Sequence, residues 1–193
     1  MNTGPMMIYF GQELGERAED AEGFSGRDGR TTIFDYWSVP TVRQWYDGGR
    51  CSVAKLTARQ KRLRNLYKTV LNIGRSEPAV VHGDFFDLMY VNGENPRFNP
   101  HRQFAFLRKH AHELLVIIVN FDSRPAAVEV NIPPHAFDFM GITPGEYAAT
   151  DLISGDKTEK TVSPETPFVS ELTAYGAVVW KIALKKSQEK SKK

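Results

Sequence analysis

The sequence predicts an α+β fold that is mostly β, with one βα unit followed by an antiparallel β-sandwich. Residues 6–10 form an unbroken apolar run that ends at Gly11, as a buried strand does. Apolar residues then recur at helical spacing over residues 57–73. From Pro78 onward, short strand-like runs alternate with turn residues, and this pattern is typical of an antiparallel sandwich with its own core.

The first predicted element is the strand at residues 6–10. It is apolar at every position, which suits the centre of a parallel sheet that is covered on both faces. Such a strand needs a neighbouring strand on each side, and the few residues before it are too short to supply one. A long polar and aromatic loop is predicted for residues 11–54, and loops of more than about 15 residues usually carry function.

The helix predicted at residues 57–73 has a start signal, an apolar face and a stop signal. Thr57 and Gln60 form a capping-box pattern, in which each side chain bonds to the other residue's backbone N–H. Gly74 is the predicted stop, and Pro78 follows shortly after it. The apolar face comprises Leu63, Leu66, Tyr67, Val70 and Leu71.

Six strands are predicted in the β region. They cover residues 85–91, 103–110, 113–121, 126–132, 147–153 and 175–184. The continuous apolar run at 113–121 predicts a central strand, and 175–184 is expected to close the sheet. The expected core residues are Leu115, Ile117, Val119, Phe121, Val178 and Trp180. Residues 185–193 are expected to form a disordered tail.

The composition argues against several classes of function. The chain of 193 residues is 41% hydrophobic and 25% charged, and its net charge of +2 owes much to the lysine-rich tail. No basic stripe with interleaved aromatic residues is present, so no nucleic-acid partner is expected. No apolar run approaches the length of a membrane span, so no membrane partner is expected either. The single cysteine, Cys51, excludes an internal disulfide and favours a reducing compartment such as the cytoplasm.

The spacing of the polar residues along the sequence does not indicate a catalytic or metal site. Glu13 is either a catalytic acid or, as we favour, a residue with a structural hydrogen-bonding role. The segment His82-Gly83-Asp84 is expected to be a turn that enters the sandwich. His110 and His112 alternate along one strand, but no carboxylate spacing completes a metal site with them or with His101. We therefore expect no metal and no cofactor.

Three motifs, in this order, resemble the α-amylase family, glycoside hydrolase family 13. The stretch "GPMMIYFGQELGE" resembles the family's eighth barrel strand, with the small departure that Gly4 and Pro5 are adjacent. The stretch "LRNLYKTVLNIGRSEPAVVHGDF" resembles its last barrel helix and the passage into the C-terminal β domain, and "LLVIIVNF" resembles a strand of that domain. The resemblance implies that residues 1–77 end a catalytic (β/α)8 TIM barrel, that 78–184 form the β-sandwich domain, and that 185–193 are the tail.

The resemblance also implies a function for the longer protein. This chain would be the C-terminal segment of a glycosidase that acts on α-glucans such as starch, glycogen and maltooligosaccharides. The family's three catalytic carboxylates follow barrel strands four, five and seven, and no residue here matches those motifs. We therefore assign no catalytic residue and expect the chain alone to be inactive, since retaining hydrolysis needs two carboxyl groups about 5 Å apart.

Substrate-binding residues are expected in the loop after the first strand, because barrel active sites lie at the C-terminal face of the strands. The stretch "DGRTTIFDYW" offers aromatic faces and polar groups to a sugar. One interpretation is that some of these side chains line the substrate cleft, and the other is that the aromatic residues pack the loop onto the barrel rim. The candidates are Arg30, Phe34, Asp35, Tyr36 and Trp37, with Asp28 beside them.

A second class of function stays open: a non-catalytic β-sandwich module that binds carbohydrate or docks to another domain. The two classes differ over the first 75 residues, which a free-standing sandwich does not need. Apolar strand edges pair with other chains when they are exposed. Residues 6–10 are therefore expected to pair with the sandwich, with a second copy of this chain or with the missing part of a barrel.

Overall fold

A computed structural model describes residue 4, residues 6–17 and residues 39–185. The described chain is α+β and mostly antiparallel β. It divides into two compact units, one within residues 4–72 and one from residue 73 onward. Among the helices of the described residues, none is both long and apolar enough to cross a membrane. The predicted tail at 185–193 lies outside the described residues, apart from Lys185.

The first unit contains a 3-10 turn and two helices. The turn is Gln12–Leu14, helix α1 is Pro40–Tyr46, and helix α2 is Ala58–Ser76, whose last residues belong to the second unit. A second 3-10 turn, Asp47–Gly49, follows α1 directly. The prediction of one long loop at 11–54 is therefore wrong for its described part, because this part contains helix α1. The helix begins at Pro40, and proline is favoured at the first position of a helix.

The predicted helix at 57–73 is confirmed as α2, including its capping box. The Thr57 N–H donates to Gln60 Oε1 at 2.9 Å, and the Gln60 N–H donates to Thr57 Oγ1 at 3.3 Å. Gly74 does not stop the helix, which continues to Ser76. The end falls there because Glu77 precedes a proline and takes an extended conformation, with φ −81° and ψ 117°. Pro78 then begins the short helix α3, Pro78–Val81.

The predicted strand at residues 6–10 is not formed. No strand of the described residues pairs with this segment, and residues 6–9 have no regular secondary structure. Met6 and Met7 are 65% and 85% exposed. A strand exists only through hydrogen bonds to a neighbour, and the described part of the chain provides no neighbour on either side.

The second unit contains eight strands and one further helix. They are β1 Asp84–Asp87, β2 Gln103–His110, β3 Glu113–Asn120, β4 Ala126–Val130, α4 Pro134–Met140, β5 Gly145–Asp151, β6 Lys157–Val162, β7 Phe168–Leu172 and β8 Ala177–Ala183. Six strands form one sheet in the order β1-β2-β3-β8-β5-β6, and β4 pairs with β7 in a second sheet. Every pairing is antiparallel.

All six predicted strands overlap observed ones, and the central position of β3 is confirmed. Strand β8 does not close the sheet, since it lies between β3 and β5. The edge strand at this end of the sheet is instead β6, which the sequence analysis did not predict. Most side chains of β6 are exposed, so its sequence "KTEKTV" lacks the apolar positions that mark a strand. Strand β7 and helix α4 were also not predicted.

Two groups of buried side chains pack on opposite faces of the six-stranded sheet. Leu114, Val116 and Ile118 of β3 belong to the first group, and Leu115 and Ile117 belong to the second. The alternation places the groups on opposite faces, because successive side chains of a strand point to opposite sides. The β4–β7 sheet and α4 cover the first face, and Ile73 and α3 contribute to covering the second.

The predicted core is confirmed at four of its six positions. Val119 is only half-buried, and Phe121 is 65% exposed. Asn120 is the last residue of β3 and is buried, whereas Phe121 follows the strand and points away from the core. The Asn120 amide donates to the carbonyls of Arg124 and Thr173, which fixes the end of the strand. The confirmed positions are Leu115, Ile117, Val178 and Trp180.

The connection from β1 to β2 is built around Asn92, which is fully buried. Its Nδ2 donates to the carbonyls of Leu88 and Asn131, at 2.8 and 3.0 Å. Its Oδ1 accepts from the Asn131 N–H at 2.8 Å and from Asn95 Nδ2 at 2.9 Å. One side chain therefore holds this loop against the residues that follow β4.

Candidate functional site

The predicted substrate-binding residues lie outside the described residues. Arg30, Phe34, Asp35, Tyr36 and Trp37, together with the neighbouring Asp28, are all in the segment 18–38. Their assignment to a substrate cleft therefore stays a prediction from the sequence. The described residues offer four other places where polar or aromatic side chains converge, and each is considered by its chemistry.

The first place is a cavity of about 420 Å³ beside Glu13, within the first unit. Glu13 lies in the 3-10 turn that is flanked by Gly11 and Gly15, both in the left-handed region at φ 77° and 68°. Glu13 lines this cavity together with Arg64 and Lys68 of α2. Among the described lining residues, Glu13 supplies the one carboxylate, and one carboxylate does not make a glycosidase pair. The other lining residues are Ile8, Tyr67, Leu71 and Asn72.

The second place is a cavity of about 530 Å³ in the β unit, beside Lys160 and Trp180. The Lys160 ammonium lies 4.5 Å from the centre of the Trp180 ring and donates to the Val169 carbonyl at 2.7 Å. Burial lowers the pKa of Lys160, and the nearby Glu171 carboxylate partly opposes that change. Trp180 Nε1 donates to Ser170 Oγ at 3.0 Å. The lysine thus occupies one face of the ring, and Trp180 is only 8% exposed, so the ring offers little surface for a ligand to stack on.

Asp151 lies on the wall of the same cavity but is committed to the fold. Its carboxyl is buried and accepts from the backbone N–H groups of Ile153, Ser154 and Val179, at 3.2, 3.2 and 2.8 Å. The Ser154 hydroxyl adds a fourth hydrogen bond at 2.8 Å. These four hydrogen bonds stabilise the turn after β5, so the Asp151 carboxyl has a structural role.

The third place is a charged cluster in which Lys181 lies between Glu77 and Glu113. The Lys181 Nζ is 2.5 Å from Glu77 Oε2 and 2.9 Å from Glu113 Oε2. Partial burial lowers the pKa of Lys181, but the hydrogen bonds to the two carboxylates outweigh it, and the net pKa is raised. Glu113 Oε1 also accepts from the Ala79 N–H at 2.9 Å. The two carboxyls share one lysine and tie α3 to the sheet, which is a structural role.

The histidines and the cysteine form no site in the described residues. No group of three or more His, Cys, Asp or Glu side chains in the described chain is placed to hold a metal ion. The ring of His110 lies 5.8 Å from that of His82. The predicted turn at His82-Gly83-Asp84 is confirmed, since β1 begins at Asp84. Gly83 is required there because an added Cβ would lie 2.3 Å from the Ala79 carbonyl oxygen. Cys51 is exposed and unpaired.

The fourth place is an exposed cluster of four rings in the β unit, which we call the four-ring surface: Phe86, Tyr90, His135 and Phe139. The Phe86 ring lies 6.4, 5.3 and 6.1 Å from those of Tyr90, His135 and Phe139. Tyr90 Oη and His135 Nε2 are hydrogen-bonded at 2.6 Å. Tyr90 and Phe139 are 59% and 65% exposed. The sequence analysis missed this surface because its rings come from two segments that lie far apart in the chain.

The structure aligns with solved structures over nearly its whole length. No protein-family model matches the sequence, and no curated protein sequence does either. A complex of AmyP with maltose aligns with 93% of this chain at a TM-score of 0.57 and 14% identity. An AmyP variant in complex with maltotriose aligns with 94% at a TM-score of 0.58 and 15% identity. This chain shares its fold with part of AmyP.

The aligned part of AmyP is a minor part of that protein, because this chain spans 32% of its length. A weaker superposition, with a TM-score of 0.46 and 17% identity, relates 70% of this chain to 25% of an α-amylase from Geobacillus thermoleovorans complexed with acarbose. At these identities, the AmyP alignments establish the fold of the described chain.

Proposed function

We propose that this chain is the C-terminal segment of a glycoside hydrolase of the α-amylase family, which acts on α-glucans as part of a longer protein. The observation that carries the proposal is the alignment of 93% of the chain with a third of a protein that was crystallised with maltose. The three sequence motifs in family order support the same assignment. In this proposal, residues 1–77 complete a catalytic barrel and residues 78–184 form its C-terminal β domain.

In this proposal the chain contributes to substrate binding and supplies no catalytic acid or nucleophile. The two carboxyls that retaining hydrolysis requires come from the barrel portion that this chain lacks. In this proposal residues 6–10 become the last barrel strand once the rest of the barrel supplies a neighbouring strand. Arg30, Asp35 and Trp37 follow that segment, so they contribute hydrogen bonds and a ring face at the rim of the cleft. Phe34 and Tyr36 belong to the same segment.

The experiment compares two polypeptides on maltoheptaose and soluble starch. The chain of 193 residues is expected to release no reducing sugar above a blank. A polypeptide that also includes the in-frame coding sequence upstream is expected to hydrolyse both substrates. In that longer enzyme, Trp37→Ala should lower kcat/KM about tenfold, a typical cost for losing a central aromatic contact, while Tyr46→Ala in α1 should leave it unchanged. Hydrolysis by the short chain would refute the proposal.

The second candidate function is a non-catalytic module that binds glucan or docks to another domain. The four-ring surface favours it, because exposed aromatic patches commonly mark interaction sites. The two candidates give different results with the longer polypeptide: a binding module retains sugar without hydrolysing it.

A further inference from the structure

We propose that the four-ring surface binds the sugar rings of an α-glucan, so that the β unit holds a polysaccharide away from any cleavage site. The choice of an α-glucan rests on the proposed function. The assignment of the surface itself rests on the geometry, rigidity and charge of the rings, which are independent of that function.

The rings are held in place by the core beneath them. Phe86 belongs to β1 and packs against the main core group. His135 and Phe139 project from α4, whose other side chains Ala136, Phe137 and Met140 are buried. Three of the rings therefore stand on β1 and α4, and Tyr90 lies in the turn after β1, where its hydroxyl is hydrogen-bonded to His135. A surface that is ordered before binding loses little conformational entropy when a ligand arrives.

The surface combines aromatic ring faces with hydrogen-bonding groups. Ring faces offer apolar contact to the C–H groups of a sugar, and the Tyr90–His135 pair offers a hydroxyl and an imidazole to the sugar's hydroxyl groups. Burial, followed by the Asp87 carboxylate, raises the pKa of Tyr90, so its hydroxyl keeps its proton at neutral pH.

The local charge distinguishes a neutral ligand from an anionic one. The segments 84–90 and 134–140, which carry the four rings, contain three aspartates and no lysine or arginine. Asp87 and Asp138 are both exposed; Asp87 acts electrostatically on Tyr90, and Asp138 precedes Phe139 in the chain. Carboxylates repel nucleic acid and anionic lipid surfaces but accept hydrogen bonds from sugar hydroxyls. The charge therefore complements a neutral polyhydroxylated chain.

The experiment measures binding of maltoheptaose to the 193-residue chain by isothermal titration calorimetry. Wild-type chain should bind, and Tyr90→Ala and Phe139→Ala should each weaken binding about tenfold, as truncation of a central aromatic contact does. The matched control is Phe121→Ala, because Phe121 is also 65% exposed but lies at the end of β3. It should change the affinity by less than about twofold, since it truncates no ring of the proposed surface. Circular dichroism of each variant checks that the fold is retained.

Two results on maltoheptaose would overturn the inference: no binding by the wild-type chain, or equal weakening by all three substitutions. Two results would show that the surface has a different ligand and would also overturn it. One is binding of the tetramethylammonium cation but not of maltoheptaose, and the other is a dimer that dissociates on Phe139→Ala without any sugar binding. Its failure is distinct from failure of the proposed function. An active longer enzyme with a short chain that binds no sugar refutes only the four-ring surface. A short chain that binds maltoheptaose beside an inactive longer protein supports the surface and refutes the hydrolase.

Discussion

Replacing Lys181 by methionine should destabilise the β unit through the two carboxylates that it leaves behind. Glu77 and Glu113 are 14% and 15% exposed, whereas Lys181 is 38% exposed. Breaking a fully buried pair costs about 3–5 kcal/mol, and a surface pair contributes about 0–1 kcal/mol. Because the lysine is partly solvated, we expect an intermediate loss of about 2 kcal/mol in the free energy of unfolding. Glu113 keeps its bond from the Ala79 N–H, which limits the loss.

The assay is urea unfolding followed by circular dichroism, with Lys157→Met as the control. Lys157 is an exposed lysine of the edge strand β6, so its replacement should change the free energy of unfolding by no more than about 0.5 kcal/mol. The midpoint should fall for Lys181→Met without a change in the denaturant slope. Equal midpoints for the two variants would refute the reasoning that the cluster is a desolvated unit.

The same cluster predicts a pH dependence. The folded-state pKa of Lys181 is raised above its ordinary value of 10.5. A group with a raised folded pKa contributes stability that is fully present below the unfolded pKa and is lost as pH rises through the folded one. The stability difference between wild type and Lys181→Met should therefore be constant at neutral pH and shrink above about pH 10.5. A difference that grows with alkaline pH would contradict this assignment.

Three further predictions concern the loop, the units and the first segment. Asn92→Ala should lower the free energy of unfolding by about 3 kcal/mol, because it leaves buried backbone groups without partners, and urea unfolding measures this. Limited proteolysis should cut within residues 11–54 and leave residues 79–184 intact by mass spectrometry; uniform protection of the whole chain would oppose it. Sedimentation should detect self-association that disappears when residues 1–54 are deleted, because Met6 and Met7 expose apolar surface. A strictly monomeric chain would contradict that.

The sequence predicted those parts of the fold whose pattern is local and strong. The strands β2, β3 and β8 are continuous apolar or alternating runs, and the capping box of α2 was correct because both of its residues lie within one turn. The edge strand β6 has few buried side chains, so its sequence resembles a polar loop. The predicted position of β8 was wrong because an apolar sequence pattern indicates that a strand is buried but does not indicate which strands it pairs with.

Side-chain clusters formed by distant segments could not be predicted from local sequence patterns either. A cluster such as the four-ring surface depends on α4 packing beside β1, and no local pattern encodes that approach. The Lys160 ammonium over Trp180 likewise joins β6 to β8 across the fold. By contrast, the turn at His82-Gly83-Asp84 was predictable, because glycine chemistry acts within a few residues.

The internal position of β8 constrains when the protein folds during its synthesis. Glu113 pairs with Ala183, 70 positions later, and β5 also pairs with β8. While a ribosome is still making β8, the chain holds β1, β2 and β3 as one sheet fragment and β5 with β6 as another, with nothing between them. The two fragments join only after residue 183 has left the exit tunnel, and contacts of such long separation form slowly. Until translation has passed β8, the nascent chain therefore leaves β3 and β5, which flank β8 in the finished sheet, with unpaired edges.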